Sequence, residues 1–315
     1  MRCGTTRRLA TRPANVQPRR VRPSPVRFAL LAVPSAIALL LLWELFVVQA
    51  AGPIRLGYDT VAYWGYPRES VYPGPGEPDG WGAYRYSPVL VPLMTAWSAV
   101  PWHVFVGLWL GAMVVVYVAM AGPYALPLVV FLPIVIELGM GNIHLFLAFA
   151  VVVGFRWPAA WAFVLLTKVT PGIGLLWFAV RREWRSLTIA LGATVGLAGA
   201  SFLVAPGLWV EWIRTLAGTS ESTAGNAVAV PMPVRIAGAA VLVVWGARTD
   251  RRWTVVVAAT LALPALWHHG LAMLVGVIAL QRGWPESLSR TFGWALRWQP
   301  RHGDPMVRRG LLRNA

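Results

Sequence analysis

The chain has 315 residues, of which 57% are hydrophobic and only 13% charged, yet its formal net charge is +16. Such a composition, with a positive mean hydropathy, excludes a water-soluble globule built around a single core and marks a polytopic membrane protein. The arginines cluster between apolar stretches and at both ends, where anionic headgroups lie, so membrane lipids are the expected basic-surface partner and nucleic acid is not.

Residues 1–27 hold eight arginines, several prolines and no acid, the pattern of a disordered basic arm on the cytoplasmic side. Cys3, the only cysteine, lies there, so neither an intrachain disulfide nor a cysteine-based metal site is available. The apolar run 28–50 is long enough to span a bilayer and exceeds the core of a cleaved signal, so it is expected to be a retained first helix with its basic flank inside. A polar, Pro/Gly-rich loop follows, ending in an apolar stretch from Val89 to Val100 that suggests an interfacial helix lying on the membrane. Further segments are expected near 102–121, 123–139, 141–155, 158–168, 171–180, 186–205, 233–247, 253–266 and 268–281. Together these predict an all-α bundle of about ten transmembrane or half-membrane helices over residues 28–281. Outer loops fall near 51–101 and 206–232, and a basic cytoplasmic tail covers 282–315.

At about 1.5 Å per residue, segments 158–168 and 171–180 are too short to cross roughly 30 Å of hydrocarbon. They read better as two arms of a broken hairpin, because Pro171 cannot continue the first arm. The distribution of basic residues favours this reading. Threaded with the hairpin, the inside receives the N-terminal eight, Arg156, Arg181, Arg182, Arg185, Arg248, Arg251, Arg252 and the seven after Gln281, which is 22 of the 28 basic residues. One straight span in place of the hairpin would send the Arg181–Arg185 cluster outside.

The same threading sends Asp59, Gly141-Asn142, Lys168, Gly225-Asn226 and Trp267-His268-His269 to the outer face, implying one polar cavity there. Lys168 is the only lysine and sits in an apolar run, where an ammonium is costly unless something negative meets it. A snorkelling lysine is the bland alternative. Asp59 is flanked by Tyr58, Tyr63, Trp64 and Tyr66, and a carboxylate among aromatic rings suits sugar binding, although an interfacial aromatic belt would look similar. Glu44 and Glu137 are intramembrane acids that can pair with Arg85 or Lys168, with no ranking between these pairings. Adjacent His268 and His269 point to different faces and lack the helical spacing of zinc ligands, so a phosphate or hydroxyl contact is expected and a metal is not. There is no nucleotide-binding glycine loop, zincin motif or nucleophile elbow.

The order Tyr58-Asp59, Tyr84-Arg85-Tyr86-Ser87-Pro88, Gly141-Asn142, Lys168-Val169-Thr170-Pro171, Gly225-Asn226 and Leu263-Pro264-Ala265-Leu266-Trp267-His268-His269 resembles glycosyltransferase family 87. That family comprises polyprenyl-phosphate-mannose-dependent α-mannosyltransferases of the GT-C superfamily. The resemblance implies a multi-pass membrane enzyme that moves a hexose, mannose by the family pattern, from a polyprenyl-phosphate donor to a hydroxyl of a lipid or glycan acceptor, facing outside. It also implies Asp59 as general base and Lys168, His268, His269 and Arg85 as partners of the phosphate leaving group. Asn142, Asn226 and Tyr58 would complete substrate binding. No cofactor is expected, since a monophosphate donor does not call for a divalent-metal carboxylate pair. A secondary transporter, and a non-catalytic membrane relative, remain as alternatives.

Overall fold

The computed structural model describes residues 56–64, 71–72, 84–218 and 230–284, and every element among them is helical. The basic arm, the first apolar run with Glu44, Asn226 and the tail beyond residue 284 lie outside the described residues.

A one-turn 3-10 helix, Tyr58–Thr60, leads into α1 (Val61–Trp64). The expected interfacial segment forms a 3-10 turn, Pro88–Leu90, and α2 (Val91–Trp97), with Pro92 in the first turn where its missing N–H costs nothing. The apolar α3 (Trp102–Ala121) follows. The segment expected near 123–139 is broken. A 3-10 turn, Gly122–Tyr124, and the short α4 (Ala125–Leu128) are separated from α5 (Leu132–Met140) by residues 129–131. Pro133 starts α5 because proline is tolerated in a first turn and not in a helix interior.

Next come α6 (His144–Gly154), a 3-10 turn at Pro158–Ala160 with α7 (Trp161–Thr167), then Thr170–Leu175 in 3-10 form with α8 (Leu176–Val180). The long α9 (Trp184–Val204) is followed by α10 (Pro206–Gly218), a helix in the first half of a stretch expected to be loop. Its start is set by Pro206, and its Trp209 and Trp212 rings pack edge to face at 5.4 Å. The chain closes with α11 (Met232–Arg248), α12 (Trp253–Leu261) and a 3-10 turn, His268–Leu274, running into α13 (Val275–Gln281). The expected span 253–266 therefore stops at Leu261, ahead of Pro264.

Among the described residues, two helical stretches, Trp102–Leu128 and Trp184–Val204, are long and apolar enough to cross a membrane; α5 and α6, bent by 109° at residues 141–143, make a third if taken together. On α9 only Ala190 is buried, while Val195 is 69% and Leu203 83% exposed, apolar surface that suits lipid and not water. The chain is an all-α membrane protein.

Several remaining arms have nine to eleven residues, about 14–17 Å of helix and half a bilayer. The Lys168 hairpin is present as the sequence suggests. Its arms meet at their base, where Phe155 lies edge to face on Trp177 at 5.5 Å and Trp161 on Phe178 at 6.3 Å. The basic clusters gather at that end. Arg181 bonds Asp250 at 2.9 Å and the Ala247 carbonyl at 3.2 Å, and the Arg252 guanidinium sits 5.6 Å from the ring centroid of Phe155. Arg282 reaches the Met120 carbonyl at 3.5 Å.

At the opposite end, the broken segment after α12 is held by one side chain. Arg235 is buried near the start of α11 and donates to the carbonyls of Leu261 at 2.8 Å, Leu263 at 2.7 Å, Pro264 at 3.0 Å and Val230 at 3.1 Å. These are helix-end and irregular carbonyls with no helical partner, so the guanidinium supplies the donors that water cannot. Arg235→Met is expected to destabilise the protein by about 2–4 kcal/mol, since each charged hydrogen bond is worth about 1.5–3 kcal/mol and the removed buried charge offsets part of the loss. Thermal unfolding in detergent checks this, with Arg248→Met at an exposed position as the neutral comparison.

Candidate functional site

The breaks in α5–α6, α7–α8 and α12–α13 come together beside the Tyr58–Thr60 turn, and that junction builds the site. Gly57 and Gly141 both occupy the left-handed region, at φ 75° and 71°. Their backbones interlock: the Gly57 N–H donates to the Gly139 carbonyl at 2.7 Å, and a Cβ on Gly141 would lie 2.3 Å from Thr60 Cγ2. The Thr60 hydroxyl donates to the Gly57 carbonyl at 2.5 Å, and the Trp109 indole N–H to the Gly141 carbonyl at 2.8 Å. Asp59 is thereby fixed against the α5–α6 break.

Asn142 Nδ2 donates to Asp59 Oδ2 at 2.7 Å, while Asn142 Oδ1 accepts the Ile143 N–H at 2.7 Å. His269 Nε2 stands 4.0 Å from the same Oδ2, buried and without a hydrogen-bond partner. Both neighbours thus address one carboxylate oxygen. Behind Asn142, the Tyr63 and Tyr86 hydroxyls are 2.7 Å apart and Tyr63 stacks on Trp109 at 4.7 Å, forming an aromatic wall. Burial raises the Asp59 carboxyl above its ordinary value of 3.8; the Asn142 hydrogen bond opposes that shift, the Glu137 charge adds to it and the Lys168 charge opposes it.

Lys168 follows the last residue of α7 with extended backbone, so its side chain leaves the helix at the break. Its Nζ is 2.8 Å from His144 Nε2. His144 Nδ1 is 3.0 Å from Glu137 Oε2, and the His144 backbone N–H donates to Glu137 Oε1 at 2.8 Å. Glu137 and His144 are fully buried. The two histidines His144 and His269 face one another with ring centroids 5.3 Å apart, which joins the Lys168 and Asp59 sides of the pocket.

The expected residues are distributed as follows. Asp59, Asn142, Lys168 and His269 converge, whereas His268 is exposed, as adjacent histidines on different faces require. Tyr58 is half-buried in the same turn as Asp59. Arg85 is half-buried, and its carbonyl accepts from the Trp212 indole at 3.1 Å. Asn226 lies outside the described residues. Glu137 pairs directly with His144 and reaches Lys168 through it, a partner not considered from the sequence. His144 itself was passed over. The rule that singles out Lys168, an ionisable side chain in an apolar run, applies equally to Ile143-His144-Leu145 and would have found it.

Glu137, His144 and His269 offer donor atoms within 4.8 Å of one another, the spacing of a metal-binding group. The donor chemistry is unfavourable, because both His144 nitrogens already have partners and one of those is an ammonium. The cluster is better matched to an anion, with Lys168 presenting the positive charge.

The model of glycosyltransferase family 87 matches residues 84–285. The chain belongs to glycosyltransferase family 87. No curated protein and no solved structure matches it. This family 87 protein is a membrane glycosyltransferase. The matched region includes Asn142, His144, Lys168 and His269, while Asp59 precedes it. Gly141→Ala would place a methyl group against Thr60 at a backbone angle that alanine resists. It is expected to cost about 1–3 kcal/mol of stability and to lower glycosyl transfer by shifting Asp59. Unfolding in detergent and a transfer assay on the same preparation check both effects, against a near-neutral Gly192→Ala, where a Cβ meets nothing within 4 Å.

Proposed function

We propose that this family 87 glycosyltransferase moves a hexose, mannose in our reading, from a polyprenyl monophosphate to a hydroxyl of a lipid or glycan acceptor at the outer membrane face, by a single inverting displacement. The observation that carries this reading is the Asp59 carboxylate, held through Oδ2 by Asn142 at a junction of broken helices where it also feels the charge of the Lys168 ammonium. With Oδ2 engaged, Oδ1 is the oxygen that accepts the acceptor's hydroxyl proton. The acceptor oxygen then attacks the anomeric carbon, the bond from that carbon to the phosphate oxygen breaks, and its electron pair leaves on the phosphate. The phosphate gains a negative charge, which Lys168 neutralises where water is excluded, with His269 beside it. Arg85, His268, Tyr58 and Asn226 remain proposed substrate contacts.

Two further features support a lipid-borne donor. An apolar groove of about 400 Å³, lined by Leu93, Trp97, Ile143, Phe146, Phe149 and Phe163 among others, runs along α6 from the residue next to Asn142. Its walls suit a hydrocarbon chain whose headgroup ends at the polar cluster. The arginine clusters lie at the far end of the same helices, so the positive-inside tendency favours a pocket opening away from the cytoplasm.

Asp59→Asn keeps the Asn142 contact within reach and removes the base. Transfer from polyprenyl-phosphate mannose in membranes is expected to fall by at least about 10²-fold; unchanged transfer would reject Asp59 as base. The pH profile gives a second check. Because burial raises the Asp59 carboxyl above 3.8, activity should be present above that raised value and be lost as pH falls through it, at a higher pH than for an exposed aspartate. Asn142→Ala removes the hydrogen bond that favours the ionised form, so its acidic limb should move higher still.

A further inference from the structure

We propose that the Glu137–His144 pair positions the Lys168 ammonium for the phosphate of the donor, an inference that rests on the polyprenyl-phosphate reading above. An ammonium has three donors and no acceptor, so the 2.8 Å contact between Lys168 Nζ and His144 Nε2 requires the imidazole lone pair at Nε2. The imidazole proton is then on Nδ1, which faces Glu137 Oε2 at 3.0 Å. Glu137 Oε1 is occupied by the His144 backbone N–H, which fixes the carboxylate at the start of α6. With Lys168 as the ammonium, the protons run from it through the neutral imidazole to the carboxylate.

This arrangement leaves two ammonium N–H groups for a ligand. The Glu137 charge is one imidazole away, so Lys168 is partnered when the pocket is empty and still free to pair directly with an incoming anion. Lys168 is the only lysine, and no carboxylate forms a direct ion pair with it among the described residues. A direct Lys–Glu pair would consume the positive charge; insertion of His144 avoids that. Among the described residues, the other ionisable groups that act on this proton chain are Asp59 on the Tyr58–Thr60 turn, His269 on the segment after α12, and the Tyr63 and Tyr86 hydroxyls beside Glu137. Glu137 and His144 touch no substrate in this scheme. They act through Lys168 as positioning residues.

The test measures binding of two probes to the purified full-length protein in nanodiscs, a polyprenyl phosphate and the uncharged polyprenol of the same length. The wild type should prefer the phosphate. His144→Met, which lacks an acceptor for the ammonium, should reduce that preference by about tenfold or more, the scale of one charged hydrogen bond. His144→Gln, whose Oε1 can accept from Lys168, should recover most of it. A purely structural role for His144 would lower the Tm of both variants without separating the two probes. Undiminished phosphate preference in a folded His144→Met protein would overturn the positioning role and leave the donor reading standing. Equal binding of both probes by the wild type would instead overturn the donor reading and this inference with it. If His144→Met does not fold, Glu137→Gln replaces it, since one amide oxygen cannot accept from both the backbone N–H and the imidazole N–H of His144, so the imidazole loses the pair of contacts that orients it. Reduced phosphate preference supports the proposal, and an unchanged preference overturns it.

Discussion

Half-length helices in a membrane end where water cannot satisfy their last carbonyls and first N–H groups, so protein must do so. Much of the polar architecture answers that demand. Arg235 takes the carbonyls where α12 stops, Glu137 accepts from the first residue of α6, Asn142 caps Ile143, and Trp109 donates to Gly141. The backbone breaks and the concentration of polar side chains have one physical origin. A pocket arises where three breaks adjoin, since each contributes groups that long uninterrupted helices would keep apart.

This economy explains why site residues are also structural ones. Asn142 holds Asp59 through its amide nitrogen and the backbone through its oxygen, and Glu137 meets His144 through both ring and main chain. Such double engagement fixes these side chains in one orientation. Removing either residue would affect folding and chemistry together, so stability and transfer must be read on the same preparation.

The legible parts of the chain were those set by local rules. Length and hydropathy mark the long apolar helices, Pro171 and the arginine clusters mark the Lys168 hairpin, and an isolated ammonium in an apolar run marks a break where polar side chains meet. The misreadings have equally local causes. Pro123 and Pro133 were both available as breakers in one apolar stretch, and only packing shows that α5 begins near the second. At Pro206–Gly218 mixed polarity and a length short of a span favour loop by sequence, whereas the structure forms α10. Glu137 was matched to a cation because opposite charges attract, whereas the fold interposes a histidine.

Composition and hydropathy by themselves determined that the chain is an all-α membrane protein, because the costs of burying charge and exposing apolar surface depend on residue type alone. Family membership was likewise carried by short motifs in order along the chain. Which groups touch was decided by tertiary structure. Asp59, the neighbouring Asn142 and His144, Lys168 and His269 come from four separate segments of the chain, and their geometry depends on how far each broken helix reaches and where its tip packs, quantities that no local pattern encodes.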